Sequence, residues 1–419
     1  MKGTRWFSLV CFLLIAAALL SFTSACATPS PSQSSSAPVS PQANSQPAAG
    51  AKTVRIGVLV ALSGWFSSFD ELEWQEAQLA RDMLNEKGGI TVNGQKYTIE
   101  LVPEDIKSTA DGTQAGATKL VNDEQVKFIA GPAAFFSSAA KDVTEPAKVL
   151  RAISFTTDTP GEFGPDTPYT FLSHNASIEH AIVGVKYLKK AYPQVKTLAF
   201  VMPDDGSIPY LDPKIRALFK DNGLNVVGDT ISYPNEMVDF SPVAAKIVAT
   251  KADAVFLENG IAPAAGSLLK GIRALGSKMP FAGAMSGSGG EIMAVSGKDA
   301  ATDFFIISPF PGDPNNPPLM QEVLKRLSDK YGSDRSIHLQ IFNSIWEIAR
   351  AIEAAQSLDP AVVREKWSKM DTIETVYGTG HIGGQVTYGI RQAVSHPEPV
   401  EYLDDGVVKD GGWIDVTVP

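Results

Sequence analysis

The chain has 419 residues, 44% of them hydrophobic and 20% charged, which is enough for two globular domains of ordinary size. Its formal net charge of −10 argues against a nucleic-acid partner. The two cysteines, Cys11 and Cys26, both lie near the N-terminus, so no disulfide and no thiol chemistry is expected in the folded part.

Lys2 and Arg5 precede an apolar run at 6–22, and Thr23-Ser24-Ala25-Cys26 follows. A charged start, an apolar core and small residues before a cysteine read as a lipoprotein signal over 1–25, with Cys26 as the lipidated first residue of the mature chain. Thr23 stands where such signals usually carry Leu. The alternative for 6–22 is a permanent membrane span. Residues 27–51 carry no charge and are dominated by Ser, Pro, Gln and Ala. They cannot bury a core, so 26–52 reads as a lipidated, disordered tether with a reach on the order of 30 Å. The expected location is extracytoplasmic, anchored to the cell membrane by lipid rather than spanning it.

The folded part opens with an apolar strand at 54–62 (VRIGVLVAL), broken at Ser63-Gly64. A helix at 71–85 places Leu72, Ala77, Ala80 and Leu84 on one face. After a Gly-rich turn at 86–93 come a strand at 97–104, a helix at 111–122 and a buried strand at 126–130. Gly131-Pro132 ends that strand, and Ser137 and Ser138 offer N-cap hydroxyls to the next helix. A further strand at 149–155 stops in Thr156-Thr157-Asp158-Thr159-Pro160. Two neighbouring strands thus end in loops of small polar groups, the setting in which open parallel sheets bind ligands. A helix N-terminus there suits an anionic head group.

The alternation continues. Strands are expected at 169–172, 196–203, 224–232, 252–257, 279–283 and 303–309. Helices are expected at 177–191, 210–222, from Ser241-Pro242 and at 263–275. The strand ends carry Asp204-Asp205-Gly206-Ser207, Glu258-Asn259-Gly260 and a Gly/Ser loop at 284–290. Helices at 318–331, 336–355 and 360–370 precede a Gly-rich tail with short β segments at 377–388 and 400–416. This pattern predicts an α/β fold with parallel sheets, and it is too long for one sheet. Two Rossmann-like lobes are expected, the second beginning near His174.

Catalytic signatures are missing. There is no G-x-G-x-x-G after the first strand, no P-loop and no nucleophile elbow around Ser288. His174, His180, His338, His381 and His396 are scattered, and a spacing of six between the first two is no helical ligand pair. They read as surface or hinge residues. No metal, no cofactor and no enzymatic activity are expected.

Several segments carry a family resemblance: IGVLVALSG at 56–64, LNEKGGI at 84–90, KLVNDEQVKFIAGP at 119–132, ISFTTDTP at 153–160, DFSPVAAKI at 239–247 and ADAVFLENG at 252–260. Their order and spacing resemble the substrate-binding proteins of branched-chain amino-acid ABC transporters, which have the type I periplasmic-binding fold. The resemblance implies two α/β lobes joined by a three-strand hinge. Here the lobes would comprise 53–173 with 309–376, and 174–308 with 377–419. The crossings would fall near 171–175, near 307–311 and past 377. The implied molecule is a monomer that captures a small-molecule ligand between closing lobes and delivers it to an ABC permease. A sensor subunit of the same fold, signalling through a partner chain, is the alternative.

Family ligand positions fall at Phe69, near Trp65 and Phe66, and at Phe135 with Phe136 beside it. They also fall at Thr156 and Thr157, at Ser207 with Tyr210 nearby, at Glu258 and Asn259, and at Met285 with Ser286. Amino-acid binders of the family place an acidic residue where Met285 stands and a small hydroxyl residue where Phe135 stands. The resemblance therefore implies a small organic acid with an aromatic or branched apolar body, its carboxylate held by Thr156, Thr157 and main-chain N–H groups near Ser137. A branched-chain amino acid with its ammonium on Glu258 is the alternative.

Overall fold

The computed structural model describes residues 52–154, 156–332 and 337–416, and of residues 134 and 135 only the main chain. The signal expected at 1–25, Cys26 and the tether up to residue 51 lie outside the described residues. Lys52, placed in the tether by the sequence, already begins the first strand. Among the described residues no helix is long and apolar enough to cross a membrane.

The chain first lays down β1 (Lys52–Val60), α1 (Ser67–Glu86), β2 (Ile90–Val92), β3 (Gln95–Asp105), α2 (Ala110–Asn122), β4 (Phe128–Ala130), α3 (Ala134–Thr144), β5 (Leu150–Ile153) and β6 (Thr170–Leu172). It then crosses to a second body. There it forms α4 (Ser177–Ala191), β7 (Thr197–Pro203), α5 (Ile208–Asp221), β8 (Asn225–Val226), β9 (Ile231–Tyr233), α6 (Ser241–Ala249), β10 (Ala254–Glu258), α7 (Ala262–Ala274), β11 (Phe281–Ser286), α8 (Gly289–Ser296) and β12 (Phe304–Ile307). It returns for α9 (Pro318–Tyr331), α10 (Gln340–Ala355), α11 (Pro360–Ser368), β13 (Thr372–Thr375), β14 (Gly378–Gly383) and β15 (Ala393–Ser395). The last crossing leads into β16 (Glu398–Asp404) and β17 (Val407–Ile414).

Two sheets result. The first runs β13-β14-β15-β6-β5-β4-β1-β3-β2, and the second β17-β16-β12-β11-β10-β7-β8 with β9 also on β7. In both, the first strand laid down sits inside the sheet with parallel neighbours on each side. The pattern is the doubly wound order with a topological switch point beside β1 and again beside β7. Helices cover both faces of each sheet, which is why β1, β7 and β10 are apolar without alternation: Ile56, Val58, Val60, Leu198, Phe200, Val255 and Leu257 are fully buried.

Several expectations are corrected. The segment 377–419 does not stay in the second lobe. β14 pairs with β13, and β15 pairs with β14 and β6, so the chain up to Ser395 belongs to the first sheet. The third crossing is therefore 396–397, between β15 and β16. The strand expected at 224–232 is split into β8 and β9, both on β7. α3 begins at Ala134, so Ser137 lies inside it and donates to the Glu162 carbonyl (3.1 Å) instead of capping the helix. The Gly/Ser loop at 284–290 runs into α8, which Ser288 caps by accepting from the Glu291 N–H (3.2 Å).

α10 is buried on nearly every face, so the N–H groups at its start need partners inside the protein. α1 supplies them. Glu76 accepts from His338 (3.2 Å) and Leu339 (2.6 Å), and Glu73 from Gln340 (3.2 Å) and Ile341 (2.6 Å). The two carboxylates lie three residues apart, one turn of α1, and so face the same way. Glu76→Ala is expected to orphan two buried N–H groups at about 1–3 kcal/mol each, read as a lower urea midpoint with an unchanged slope. An unchanged midpoint would show that the start of α10 can be satisfied in another way.

Candidate functional site

In each sheet the loops leaving the carboxyl ends of the central strands gather at one edge. The two edges face each other, and residues from both enclose one cleft. Phe66, Phe69 and Gln340 come from the first lobe; Asn259, Gly260, Ile261, Met285, Ser286 and His180 come from the second. The space amounts to about 350 Å³, counting the part open to solvent. Direct contacts span it. Gln340 Nε2 donates to Ser286 Oγ (2.9 Å), Lys214 Nζ to Asp158 Oδ2 (2.9 Å), and His338 Nε2 lies 3.5 Å from Glu291 Oε2.

Of the expected residues, Phe69 with neighbouring Phe66, Asn259, and Met285 with Ser286 line the cleft. The Phe69 ring stacks on His338 with centroids 3.9 Å apart and on Phe66 at 5.0 Å. Phe136 does not line it. That ring is buried against Trp65 and Phe66 within the first lobe. The side chain of Phe135 lies outside the described residues. Ser207 is buried, but its N–H and hydroxyl both turn onto Asp205 Oδ1 (2.9 and 2.5 Å) at the start of α5. Tyr210, one turn on, is 43% exposed and is not part of the lining.

Thr156 and Thr157 stand where expected with a different partner. Thr156 Oγ1 donates to Glu162 (2.8 Å), as do the Thr157 N–H (2.7 Å) and hydroxyl (2.8 Å). The pair expected to hold a ligand carboxylate already holds one from the chain. Glu258 is fully buried at the end of β10, and among the described residues neither of its oxygens has a hydrogen-bond partner. Asn259, next to it, is in the left-handed region (φ 57°), and its Nδ2 donates to Asp205 (2.5 Å). The sequence reading missed Glu162, His180, Ile261 and Gln340. Gln340 and His180 sit far along the chain from the loops they meet, and only the fold brings them there.

The electrostatics are acidic. Burial pushes Glu162 up to about 7 against its hydrogen bonds from Thr156 and Thr157. Burial likewise pushes Glu179 up to about 7, although Tyr388 Oη and the Ala176 N–H donate to it. Glu258 is held well above the usual carboxylate range by burial; the Asn259 main chain opposes this, while Asp205, Glu179 and Asp158 add to it. Burial alone would lower His338, but Glu291, backed by Glu76 and Glu73, outweighs it and leaves the imidazole raised. Behind the cleft, His180 joins His174, His396 and Glu398, where two of the crossings meet.

A family model described as periplasmic binding protein matches residues 53–391. The chain is 28% identical over 254 residues to the Leu/Ile/Val-binding protein BraC3 of Rhizobium johnstonii; the match covers 59% of this chain and 65% of that protein. Among solved structures, the chain is similar to the branched-chain amino-acid transporter substrate-binding protein LivJ of Streptococcus pneumoniae in complex with isoleucine. The TM-score is 0.71 at 19% identity, covering 87% of this chain and 99% of that one. It is also similar to a solute-binding protein of R. palustris in complex with 4-hydroxybenzoate, with a TM-score of 0.69 at 18% identity, covering 87% and 97%.

The buried carboxylates set a pH dependence. In the unfolded chain Glu162 and Glu179 lose their protons near 4.5, and in the folded protein near 7. Between those values the folded state binds more protons, so their contribution to stability falls as pH rises. Buried Asp70 and Glu401, both pushed up to about 7, act in the same direction. The urea midpoint is expected to be lower at pH 7.5 than at pH 5, and Glu162→Gln is expected to flatten the slope. A pH slope that Glu162→Gln leaves unchanged would show that Glu162 is ionised in the folded state. Buried His174, His180 and His396, which burial holds below the usual imidazole range, pull the other way below about pH 6.5.

Proposed function

Because the chain belongs to the periplasmic binding protein family, as a substrate-binding protein of the branched-chain amino-acid transporter type, we propose that it captures a small solute between its lobes and presents it to an ATP-driven importer in the membrane. The observation that carries this reading is the cleft itself, enclosed by side chains of both lobes where the two switch points face each other. Binding there favours whichever lobe arrangement makes more contacts with the solute, and the closed pair is what a permease would recognise. No bond is made or broken in this reading. A sensor that signals through a partner chain would use the same closure.

The lining supports a solute with an apolar body against Phe66, Phe69, Ile261 and Met285, and a hydrogen-bonding end near Asn259, Ser286 and Gln340. For the head group, the geometry favours an amine over an acid alone. Thr156 and Thr157 are engaged by Glu162, which removes the carboxylate anchor expected for an amine-free acid. Glu258 ends β10 immediately before Asn259, which lines the cleft, and its carboxyl has no hydrogen-bond partner among the described residues, so it is the acidic group nearest to hand for an ammonium. A branched-chain amino acid fits this arrangement. The stacked Phe66, Phe69 and His338 rings favour an aromatic acid as the second reading.

Thermal unfolding with leucine, isoleucine, valine and 4-hydroxybenzoate separates the two. At a hundred times its dissociation constant the true ligand adds about 2.7 kcal/mol of stability. Stabilisation by an aliphatic amino acid that Glu258→Gln abolishes is expected. A shift only with the aromatic acid, unaffected by that substitution, would replace the amine reading; no shift with any small solute would count against solute capture.

We also propose that Cys26 carries a lipid and that the uncharged segment after it tethers the binding body outside the membrane. Cys26→Ser is expected to move the protein from the membrane fraction to the soluble one in its native host. Retention in the membrane fraction would point to the apolar run at 6–22 as a permanent span.

A further inference from the structure

The sequence spacing of the histidines gave no metal ligands, but the fold gathers three side chains behind the cleft. His174 lies in the crossing after β6, His180 in the first turns of α4, and Glu398 at the start of β16. One ligand atom from each lies within 4.8 Å of the others. The His174 and His180 Nε2 atoms are 3.6 and 3.9 Å from Glu398 Oε1. All three side chains are at least nine-tenths buried, and among the described residues His174 Nε2, His180 Nε2 and Glu398 Oε2 have no hydrogen-bond partner.

The surrounding hydrogen bonds fix which nitrogen of His174 is bare. Asn175 Nδ2 spends its two hydrogens on the His396 carbonyl (2.7 Å) and on Glu398 Oε1 (2.6 Å). It has none left for His396 Nδ1, which therefore donates to the Pro397 carbonyl (3.1 Å). His396 Nε2 is then an acceptor, and it takes the proton of His174 Nδ1 (2.9 Å). This leaves His174 Nε2 with a lone pair aimed at Glu398 and His180. The tautomer follows from the network, as it does for imidazoles that ligate metals through one nitrogen and are oriented through the other. His396 is itself held by the Tyr377 ring, stacked on it at 4.1 Å.

The His174 lone pair facing a carboxylate at 3.6 Å makes no good hydrogen bond, and His180 Nε2 at 3.9 Å is beyond hydrogen-bond distance as well. The separations approach those of ligands on one small cation, about 3.4 Å apart for bonds of about 2.0–2.1 Å in tetrahedral geometry, and small side-chain rotations of the trio, now within 4.8 Å, would close them onto an ion. Two imidazoles and one carboxylate suit zinc and its neighbours, whereas magnesium and calcium take oxygen donors. We propose that His174, His180 and Glu398 bind one divalent transition-metal ion of the zinc class, with a fourth position toward the cleft. His180 lines that cleft, so the fourth position is open to water or to the polar end of a captured solute. The ion ties α4 to two of the three crossings and so braces the hinge in one arrangement. The inference stands whatever solute the cleft takes.

The test uses the purified full chain, stripped with a chelator and then dialysed against zinc(II) or cobalt(II). One equivalent per chain is expected by elemental analysis, with the visible absorption of four-coordinate cobalt(II). His180→Gln and Glu398→Gln are each expected to weaken zinc binding by about a hundredfold or more. His381→Gln, at an exposed position on β14, is expected to leave it unchanged. Circular dichroism of each variant separates loss of the site from loss of the fold. Sub-stoichiometric uptake, or binding that survives both substitutions in folded protein, would overturn the site and leave only adventitious metal.

Discussion

Four main-chain N–H groups at the start of α10 find their acceptors in two carboxylates of α1, and the cleft depends on that contact. A helix as thoroughly buried as α10 cannot begin inside a protein with its first N–H groups unpaired. Glu73 and Glu76 allow it to begin there, and Leu339 takes a left-handed conformation (φ 63°) to bring the chain in. Once α10 is placed, three features follow. His338 lies flat against Phe69, Gln340 reaches across to Ser286, and Asn343 and Ser344 meet the first crossing at Ser173, at 2.6 Å each. Cleft wall, inter-lobe contact and hinge thus share one electrostatic anchor.

Most of the fold was legible because strand–helix alternation is a local signal. Apolar runs such as those of β1, β7 and β10 declare buried parallel strands, and the helices between them declare crossovers. The tail was not legible for the same reason. β14, β15, β16 and β17 are short and alike in pattern, and nothing local says that the first two join one sheet and the last two the other. α8 is a different miss. Ser288-Gly289-Gly290-Glu291 carries the S-x-x-E pattern of a capping box, and both of its hydrogen bonds form. The two glycines hid a helix start that the flanking residues announce.

The site was legible by position and illegible by partner. Phe69, Asn259 and Met285 reach the cleft because strand-end loops go there in any sheet of this order. Thr156 and Thr157 are equally well placed, yet Glu162, only five residues on, consumes their hydroxyls. No periodicity predicts that a loop will fold back on itself. The imidazoles are the extreme case, since His174 and His396 are more than two hundred residues apart in sequence and in hydrogen-bond contact in the fold. Short-range spacing cannot report a site assembled from two crossings.

The energetics of closure explain why so much buried acid is tolerated. Two of the three contacts named across the cleft are individually weak: the Lys214–Asp158 pair is half exposed on the lysine side and is worth about 0–1 kcal/mol. Gln340–Ser286 adds about 1 kcal/mol as a neutral hydrogen bond. Contacts of this size do not commit the lobes to one arrangement. Against them, a carboxyl such as Glu258, buried without a hydrogen-bond partner among the described residues, costs about 1–3 kcal/mol. A solute that donates a hydrogen bond toward that carboxyl removes the cost and adds apolar contact with Phe66 and Phe69 in the same step. The balance between the two arrangements then belongs to the solute, which is what a capture protein requires.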